Sequence, residues 1–312
     1  MKLILLSDTH IRATSPIGRK DDLAITQWRK WKFIFDTAKQ EGITDIIQAG
    51  DLWNEPCPPY YILNTFIKML FQYNTQIYTV MGQHDQYMRS PDLSRTATGI
   101  LQETLFASVL GYRPLIIRKG KEEVALFGVG FGDASSWKDP YWKIQRSEYQ
   151  KKIAVMHAMI GDIPLYPGQE DLVQASHVLE EMSEMDVILC GDYHYPYHYE
   201  LEGRHIVNTG CLLRLTRNAM DMSRKLHFYI YDTITGEMKK VQIPMRLASS
   251  VFNLKEKVIE KQDRLLEELI ERVKASDKVG ISFLSILQTF FEENHIRKEV
   301  RNIIADSFGG KL

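Results

Sequence analysis

Short apolar runs that end in polar residues alternate with longer amphipathic stretches along the first half of the chain. The short runs are rich in β-branched residues and predict strands, whereas the longer stretches have the period of a helix. This alternation is typical of an α/β fold in which helices cover a sheet. The predicted strands are residues 3–7, 45–49, 76–81, 124–129, 152–156 and 187–190, and the predicted helices are residues 28–40, 61–73, 96–110 and 171–182.

The pattern changes in the last third of the chain. Residues 226–232 and 238–243 predict two strands of a hairpin that turns at Gly236. Beyond Pro244 the chain is charged and has helical periodicity, with many apolar residues that need a surface to pack on. We therefore expect a main domain of residues 1–245 and a small C-terminal α-rich module of residues 246–312, which packs on itself, on the main domain or on a partner helix.

The composition limits the class of protein. The chain has 312 residues, of which 44% are hydrophobic and 25% charged, and no apolar run is long enough to cross a bilayer, so we expect no membrane partner. The apolar N-terminal run is interrupted by Asp8 and therefore predicts a strand rather than a secretory signal. Three cysteines without a CxxC pair indicate neither a disulfide framework nor a thiolate zinc site. This cysteine content fits a location in the cytoplasm, which would be that of the host cell if the protein is phage-encoded. The net charge of -1 neither supports nor excludes DNA binding.

Side chains that bind metals follow five of the predicted strands. Side chains beyond the carboxyl ends of strands in an open α/β sheet converge, so these groups are expected to meet. One such cluster is weak evidence of a site, but five in order indicate a metal centre. Oxygen and nitrogen donors without thiolate indicate a hard or borderline divalent ion such as Mn²⁺ or Mg²⁺, with Fe or Zn as alternatives. The groups are Asp8 and His10, then Asp51, then Gln83, His84 and Asp85, then His157, and finally Asp192 and His194.

The order of these motifs resembles the calcineurin-like metallophosphoesterases over roughly residues 1–245. Within that family, the segment from Ala49 to Asn54 followed by Pro58 and Pro59 is similar to SbcD-type nucleases. The resemblance implies a four-layer αββα sandwich. The motifs that carry it are Asp8-x-His10, Gly50-Asp51, Gly82-Gln83-His84-Asp85, His157 and Gly191-Asp192-Tyr193-His194.

The resemblance also implies a role for each ligand. One metal would be held by Asp8, His10, Asp51 and His194, and the second by Asp51, Gln83, His157 and Asp192. The family usually has Asn in place of Gln83 and His in place of Asp192, yet we expect the second site to bind, because three carboxylates facing two cations favour Mn²⁺ or Mg²⁺. His84 would donate a proton to the leaving oxygen, with Asp85 orienting its ring.

Basic residues flank the motifs and are candidates for contacts with a DNA backbone. Arg12, Arg214 and Arg217 are the predicted contacts, although a solvated charged face is an equally good interpretation of each. The resemblance implies a DNA nuclease, a double-strand exonuclease or single-strand endonuclease, that forms a homodimer and works with an SbcC-type ATPase carrying a coiled coil. Two other hypotheses stay open: a stand-alone metallophosphatase or phosphodiesterase that acts on a small substrate, and a non-enzymatic scaffold.

Overall fold

The computed structural model describes residues 1–16, 18–132, 149–165 and 169–253. Most of its strands form two six-stranded sheets. The members of the first are β1 (Lys2–Leu6), β2 (Asp45–Gln48), β3 (Gln76–Thr79), β4 (Ala107–Val109), β13 (His227–Asp232) and β14 (Met238–Gln242). Their order is β14-β13-β1-β2-β3-β4, and strands β1 to β4 are parallel to one another.

The members of the second sheet are β5 (Leu115–Lys119), β6 (Glu122–Val129), β7 (Lys151–Ala158), β10 (Val187–Asp192), β11 (Tyr197–Leu201) and β12 (Arg204–Asn208). Their order is β11-β12-β10-β7-β6-β5, and the four central strands are parallel. A short third pair consists of β8 (Ile160–Gly161) and β9 (Val173–Gln174).

Helices pack on the outer faces of both sheets. The longest helix begins at an Asp22 side chain that accepts a hydrogen bond from the Ile25 amide, and it ends at Gly42, which adopts φ 67°. Asp and Gly are common residues at these two positions. The helices are α1 (Leu23–Glu41), α2 (Tyr60–Tyr73), α3 (Ala97–Glu103), α4 (Ala175–Glu181), α5 (Ala219–Ser223) and α6 (Ala248–Val251). No helix among the described residues is long and apolar enough to cross a membrane.

Strand β1 explains why the molecule has four layers. Its alternate residues face two different cores: Ile4 packs in the cluster beneath α1 and α2, and Leu5 packs between the two sheets. Both side chains are fully buried, and burial of each stabilises the fold by roughly 1.5–3 kcal/mol. A third cluster lies beneath α4 on the far side of the second sheet. The predicted αββα sandwich is therefore confirmed.

The predicted elements differ from the structure where long-range pairing decides the conformation. The predicted helix 96–110 stops at Glu103, because Leu105 has φ 62° and the next residues pair with β3 as strand β4. The predicted helix 171–182 begins with strand β9. The compact unit Met1–Phe252 includes the whole predicted main domain. The predicted C-terminal module lies outside the described residues from position 254 onward.

Candidate metal centre

The candidate ligands lie just beyond the carboxyl ends of parallel strands, and they come from both sheets. The first sheet supplies the side chains that follow β1, β2 and β3, whereas the second sheet supplies those at the ends of β7 and β10. The sequence pattern predicted that these groups meet. The structure places them together on the seam where the carboxyl ends of strands from the two sheets come together.

Hydrogen bonds hold the two sheets together at this seam. The Ser7 hydroxyl donates to the Cys190 carbonyl at 2.7 Å, and the Asp192 amide donates to Asp8 Oδ1 at 2.9 Å. The His157 ring contacts the Ala49 carbonyl through Nδ1 at 2.7 Å. These bonds fix the carboxylates of one sheet relative to the imidazoles of the other.

Two glycines allow the seam to close. A Cβ at Gly82 would overlap the carboxylate and the amide of Asp51, and a Cβ at Gly191 would overlap the Ala49 carbonyl. The backbone atoms that collide belong to strand ends, which cannot move without breaking the sheets. Gly82 and Gly191 are therefore required by close approach rather than by chain flexibility.

Four of the predicted ligands have left-handed backbone conformations. The φ angles are 32° at Asp8, 44° at His10, 51° at Asp51 and 81° at Asp192. Each such angle at a non-glycine residue costs on the order of 1–3 kcal/mol, and residues of this kind cluster at functional sites. The left-handed conformation turns each side chain toward the seam. A residue that continued the extended strand would instead point its side chain into a core.

The first donor set surrounds a point between His10 and His194. Their Nε2 atoms are 3.1 Å apart, Asp51 Oδ2 lies 3.7 Å from His10 Nε2, and Asp8 Oδ1 lies 3.9 Å from His194 Nε2. Two nitrogen ligands of one tetrahedral ion are separated by roughly 3.3 Å. The four residues predicted for the first metal are thus brought together at the spacing of a shared ion.

The second donor set meets around His157. Its Nε2 atom is 2.6 Å from Gln83 Oε1, 3.6 Å from Asp51 Oδ2 and 3.9 Å from Asp192 Oδ1. Because the ring donates its Nδ1 proton to Ala49, a neutral His157 has only a lone pair at Nε2. The Nε2 lone pair then faces Gln83 Oε1 and Asp51 Oδ2, an arrangement that a cation stabilises, while the Gln83 amide group donates to Asp192 Oδ1 at 2.9 Å. The substituted ligands Gln83 and Asp192 therefore fit a second metal.

Burial explains the charge state of the donors. Asp8 and Asp51 are fully buried, and each has one carboxylate oxygen without a hydrogen-bond partner. Desolvation raises the pKa of both carboxyls well above 3.8. It also lowers the pKa of His10 well below 6.5 and that of His194 to about 4, so both rings are neutral at pH 7. Unpartnered carboxylate oxygens beside neutral imidazoles are suited to divalent cations.

The structure corrects the role predicted for Asp85. The exposed ring of His84 contacts the Asn54 carbonyl through Nδ1 at 2.9 Å. Asp85 is buried and accepts hydrogen bonds from the amides of Gly82, Leu52 and Trp53 instead. Asn54 therefore orients the histidine, and Asp85 positions the loops that carry Asp51 and Gln83.

The prediction that Arg214 contacts a DNA backbone is wrong. Its guanidinium donates to the carbonyls of Arg246 and Arg224 at 3.0 and 3.1 Å, and the residue is 8% exposed. It supports the fold rather than contacting substrate. Arg12 is half-buried and donates to the Thr14 carbonyl, and Arg217 lies against Gly18. Substrate contacts by Arg12 and Arg217 stay predictions.

The loop of residues 208–214 contributes groups that the sequence reasoning missed. The Leu212 amide donates to the Asp8 carbonyl at 2.9 Å, and the guanidinium of Arg224, paired with Asp221, donates to the carbonyls of Cys211 and Leu213. Arg224 is buried. Only its pairing with Asp221, at helical spacing, was visible in the sequence.

A family model described as calcineurin-like phosphoesterase matches residues 1–196, a segment that contains every predicted metal ligand. The chain belongs to the calcineurin-like phosphoesterase family. Proteins of this family are metal-dependent hydrolases of phosphoester bonds. No curated protein matches the chain.

Three solved structures are similar to this chain at low identity. A protein described as a 5'-nucleotidase from Staphylococcus aureus is 14% identical, with a TM-score of 0.50, and the match covers 87% of this chain and 58% of that one. An archaeal phosphodiesterase is 13% identical, with a TM-score of 0.41 over 78% of this chain and 100% of that chain. A 5'-nucleotidase precursor from Thermus thermophilus is 12% identical, with a TM-score of 0.45 over 78% of this chain and 54% of that chain. Likeness at this level concerns the fold alone.

Proposed function

We propose that this calcineurin-like phosphoesterase hydrolyses phosphodiester bonds with two divalent metal ions. The observation that carries the proposal is the convergence of unpartnered carboxylate oxygens and imidazole lone pairs at the seam. Asp51 is the central group, because its Oδ2 atom lies 3.7 Å from His10 Nε2 and 3.6 Å from His157 Nε2. One carboxylate therefore serves both donor sets.

The metals and the protein side chains divide the chemistry. When bound, divalent ions neutralise the phosphate oxygens and acidify a water molecule. His84 lies beside the first donor set, with its ring 5.0 Å from that of His10 in an edge-on contact. Because Nδ1 is engaged with the Asn54 carbonyl, Nε2 is the ring atom that exchanges a proton with the leaving oxygen.

DNA is the first substrate candidate. The carbonyl that orients His84 belongs to Asn54, which lies in the segment similar to SbcD-type nucleases. The His84 ring is exposed beside buried ligands, so a substrate can reach it from solvent among the described residues. The proposal includes cleavage of DNA ends or single strands without base specificity.

A small phosphoester is the second candidate. The family assignment covers phosphoester hydrolysis in general, and the solved structures that share the fold include proteins described as 5'-nucleotidases and as a phosphodiesterase. A nucleotide or a small phosphodiester fits these descriptions at least as well as DNA does. The same metal centre would serve either substrate.

One set of assays separates the candidates. Linear DNA, single-stranded DNA, a chromogenic phosphodiester and a phosphomonoester are incubated with Mn²⁺ and the full chain. His84→Ala and Asp51→Ala should abolish the activity, while His177→Ala, at an exposed residue of α4, is the matched control. Cleavage of DNA supports the nuclease, and cleavage of small esters alone supports the second candidate. Failure of the protein to bind metal or to cut any substrate would refute both and favour the scaffold hypothesis.

A partner ATPase and homodimer formation belong to the nuclease candidate. We propose that residues 246–312 bind a coiled-coil ATPase of the SbcC type. Light scattering of the full chain with and without such an ATPase would test both assemblies, and a monomer that does not bind would overturn them.

A further inference from the structure

A cysteine lies among the donors of the first metal set. The Cys211 sulfur and ligand atoms of His10 and His194 all lie within 4.8 Å of one another. All three cysteines are free thiols, and Cys211 is 2% exposed. The spacing of cysteines in the sequence had argued against a sulfur ligand, because no second cysteine is near in the chain.

Backbone hydrogen bonds place Cys211 between the two ligand-bearing loops. Its amide donates to the His194 carbonyl at 3.1 Å, and the next amide, that of Leu212, donates to the Asp8 carbonyl at 2.9 Å. The Cys211 carbonyl accepts from the buried Arg224. The Cys211 backbone is therefore tied to the loops that carry ligands in both sheets, which keeps its side chain beside the centre.

The geometry points to Cys211 as an additional, sulfur ligand of the metal held by His10 and His194. This inference rests on the proposed function, because it needs the metal centre described there. It implies that the first site binds a thiophilic ion such as Zn²⁺ or Fe²⁺ more tightly than Mn²⁺. The second donor set has no sulfur among its described ligands, so the two sites would differ in their preferred ions.

Distances support coordination. A sulfur and a nitrogen bound to one ion at about 2.3 and 2.1 Å are separated by roughly 3.1 to 3.8 Å in five-coordinate geometry. Because the sulfur already lies within 4.8 Å of both histidine nitrogens, a shift of about 1 Å or less at the cysteine side chain is enough to reach that separation. On coordination the S–H bond breaks, the electron pair stays on sulfur to form the metal bond, and the proton passes to water.

Cobalt is the probe for this ligand, since Co²⁺ bound by thiolate has a near-ultraviolet sulfur-to-metal charge-transfer band. Titration of the full chain with Co²⁺ should produce that band. Cys211→Ser should remove the band and weaken Zn²⁺ binding by about tenfold or more, while Mn²⁺ binding stays unchanged. Cys57→Ser, at an exposed cysteine, is the matched control and should keep the band.

The outcomes separate this inference from the proposed function. Binding of Co²⁺ without the sulfur band, or a band that persists in Cys211→Ser, would overturn the inference and leave the metal centre intact. No binding of Co²⁺ or Mn²⁺ by the unmodified protein would overturn both. If Cys211→Ser does not fold, X-ray absorption of the unmodified protein with bound Zn²⁺ tests the inference instead. A sulfur neighbour at about 2.3 Å from the zinc is expected, and its absence would refute coordination by Cys211.

Discussion

Replacement of Asp51 by asparagine should stabilise the metal-free protein while it abolishes activity. The carboxylate is fully buried, and its Oδ2 atom has no hydrogen-bond partner. Asparagine keeps the bond that Oδ1 accepts from the His84 amide at 2.9 Å, and its amide group can donate toward the His10 and His157 nitrogens. The change replaces a buried ionisable group and gives a hydrogen-bond partner to an atom whose unpaired burial costs about 1–3 kcal/mol.

We therefore expect a gain of about 2 kcal/mol in the free energy of unfolding without metal, which raises Tm by about 4–8 °C for a domain of this size. Metal should reverse the order of stability. At a concentration of Mn²⁺ one hundred times its Kd, the unmodified protein gains about 2.7 kcal/mol, whereas Asp51→Asn has lost the shared ligand and gains little.

The pH dependence has a definite sign. Because burial raises the pKa of Asp51 above its unfolded value of 3.8, the native state keeps a proton that the unfolded state releases. Metal-free stability should therefore fall as pH rises from 3.8 through the raised pKa, and this slope should be smaller in Asp51→Asn. Removal of the charge leaves one fewer group to titrate.

Thermal and urea unfolding in EDTA and in Mn²⁺ would measure these changes, with catalytic rates measured in parallel. Asp36→Asn is the control, because that exposed carboxylate pairs with Lys32 at the surface and should respond equally with and without metal. Loss of stability by Asp51→Asn in EDTA, of the same size as its loss in Mn²⁺, would refute the reasoning. Such a result would mean that groups of the protein already provide the hydrogen bonds that the Asp51 carboxylate needs.

Three further predictions concern other parts of the seam. His84→Gln should lower the catalytic rate by about 10²–10⁴-fold, because the proton donor is lost, and elemental analysis should find the metal content unchanged. Loss of a metal ion in this variant would instead show that His84 is a metal ligand. Gly82→Ala should destabilise the fold and reduce metal binding, because its Cβ would overlap Asp51, and calorimetry showing normal binding would contradict this. Burial lowers the pKa of Lys30 from 10.5 to about 7. Between these two pH values the unfolded state holds a proton that the native state has released, so the free energy of unfolding should rise by about 2 kcal/mol from pH 7 to 9. Urea unfolding of Lys30→Met, which lacks this proton, should show a flatter profile than the unmodified protein, and equal slopes would refute the shift.

The central strands could be predicted from the sequence because their pattern is local. Strands β1, β2, β3, β7 and β10 lie inside the two sheets and therefore appear as apolar runs of the right length. Strands β5, β11 and β12, toward the two sides of the second sheet, were not predicted. The antiparallel pair β11 and β12 turns at Glu202 and Gly203, both at positive φ, and β11 is largely exposed, so no apolar run marks it.

The sequence by itself determined which donors the protein has, because motif order and strand ends are properties of neighbouring residues. Tertiary structure decided which groups meet: Asn54 rather than Asp85 at the His84 ring, Arg214 inside the fold, and Cys211 beside His10. These contacts join residues that are separated in the chain, and the contact between Cys211 and His10 also joins loops of the two sheets. Their geometry depends on packing, burial and backbone strain at the seam, which no local pattern encodes.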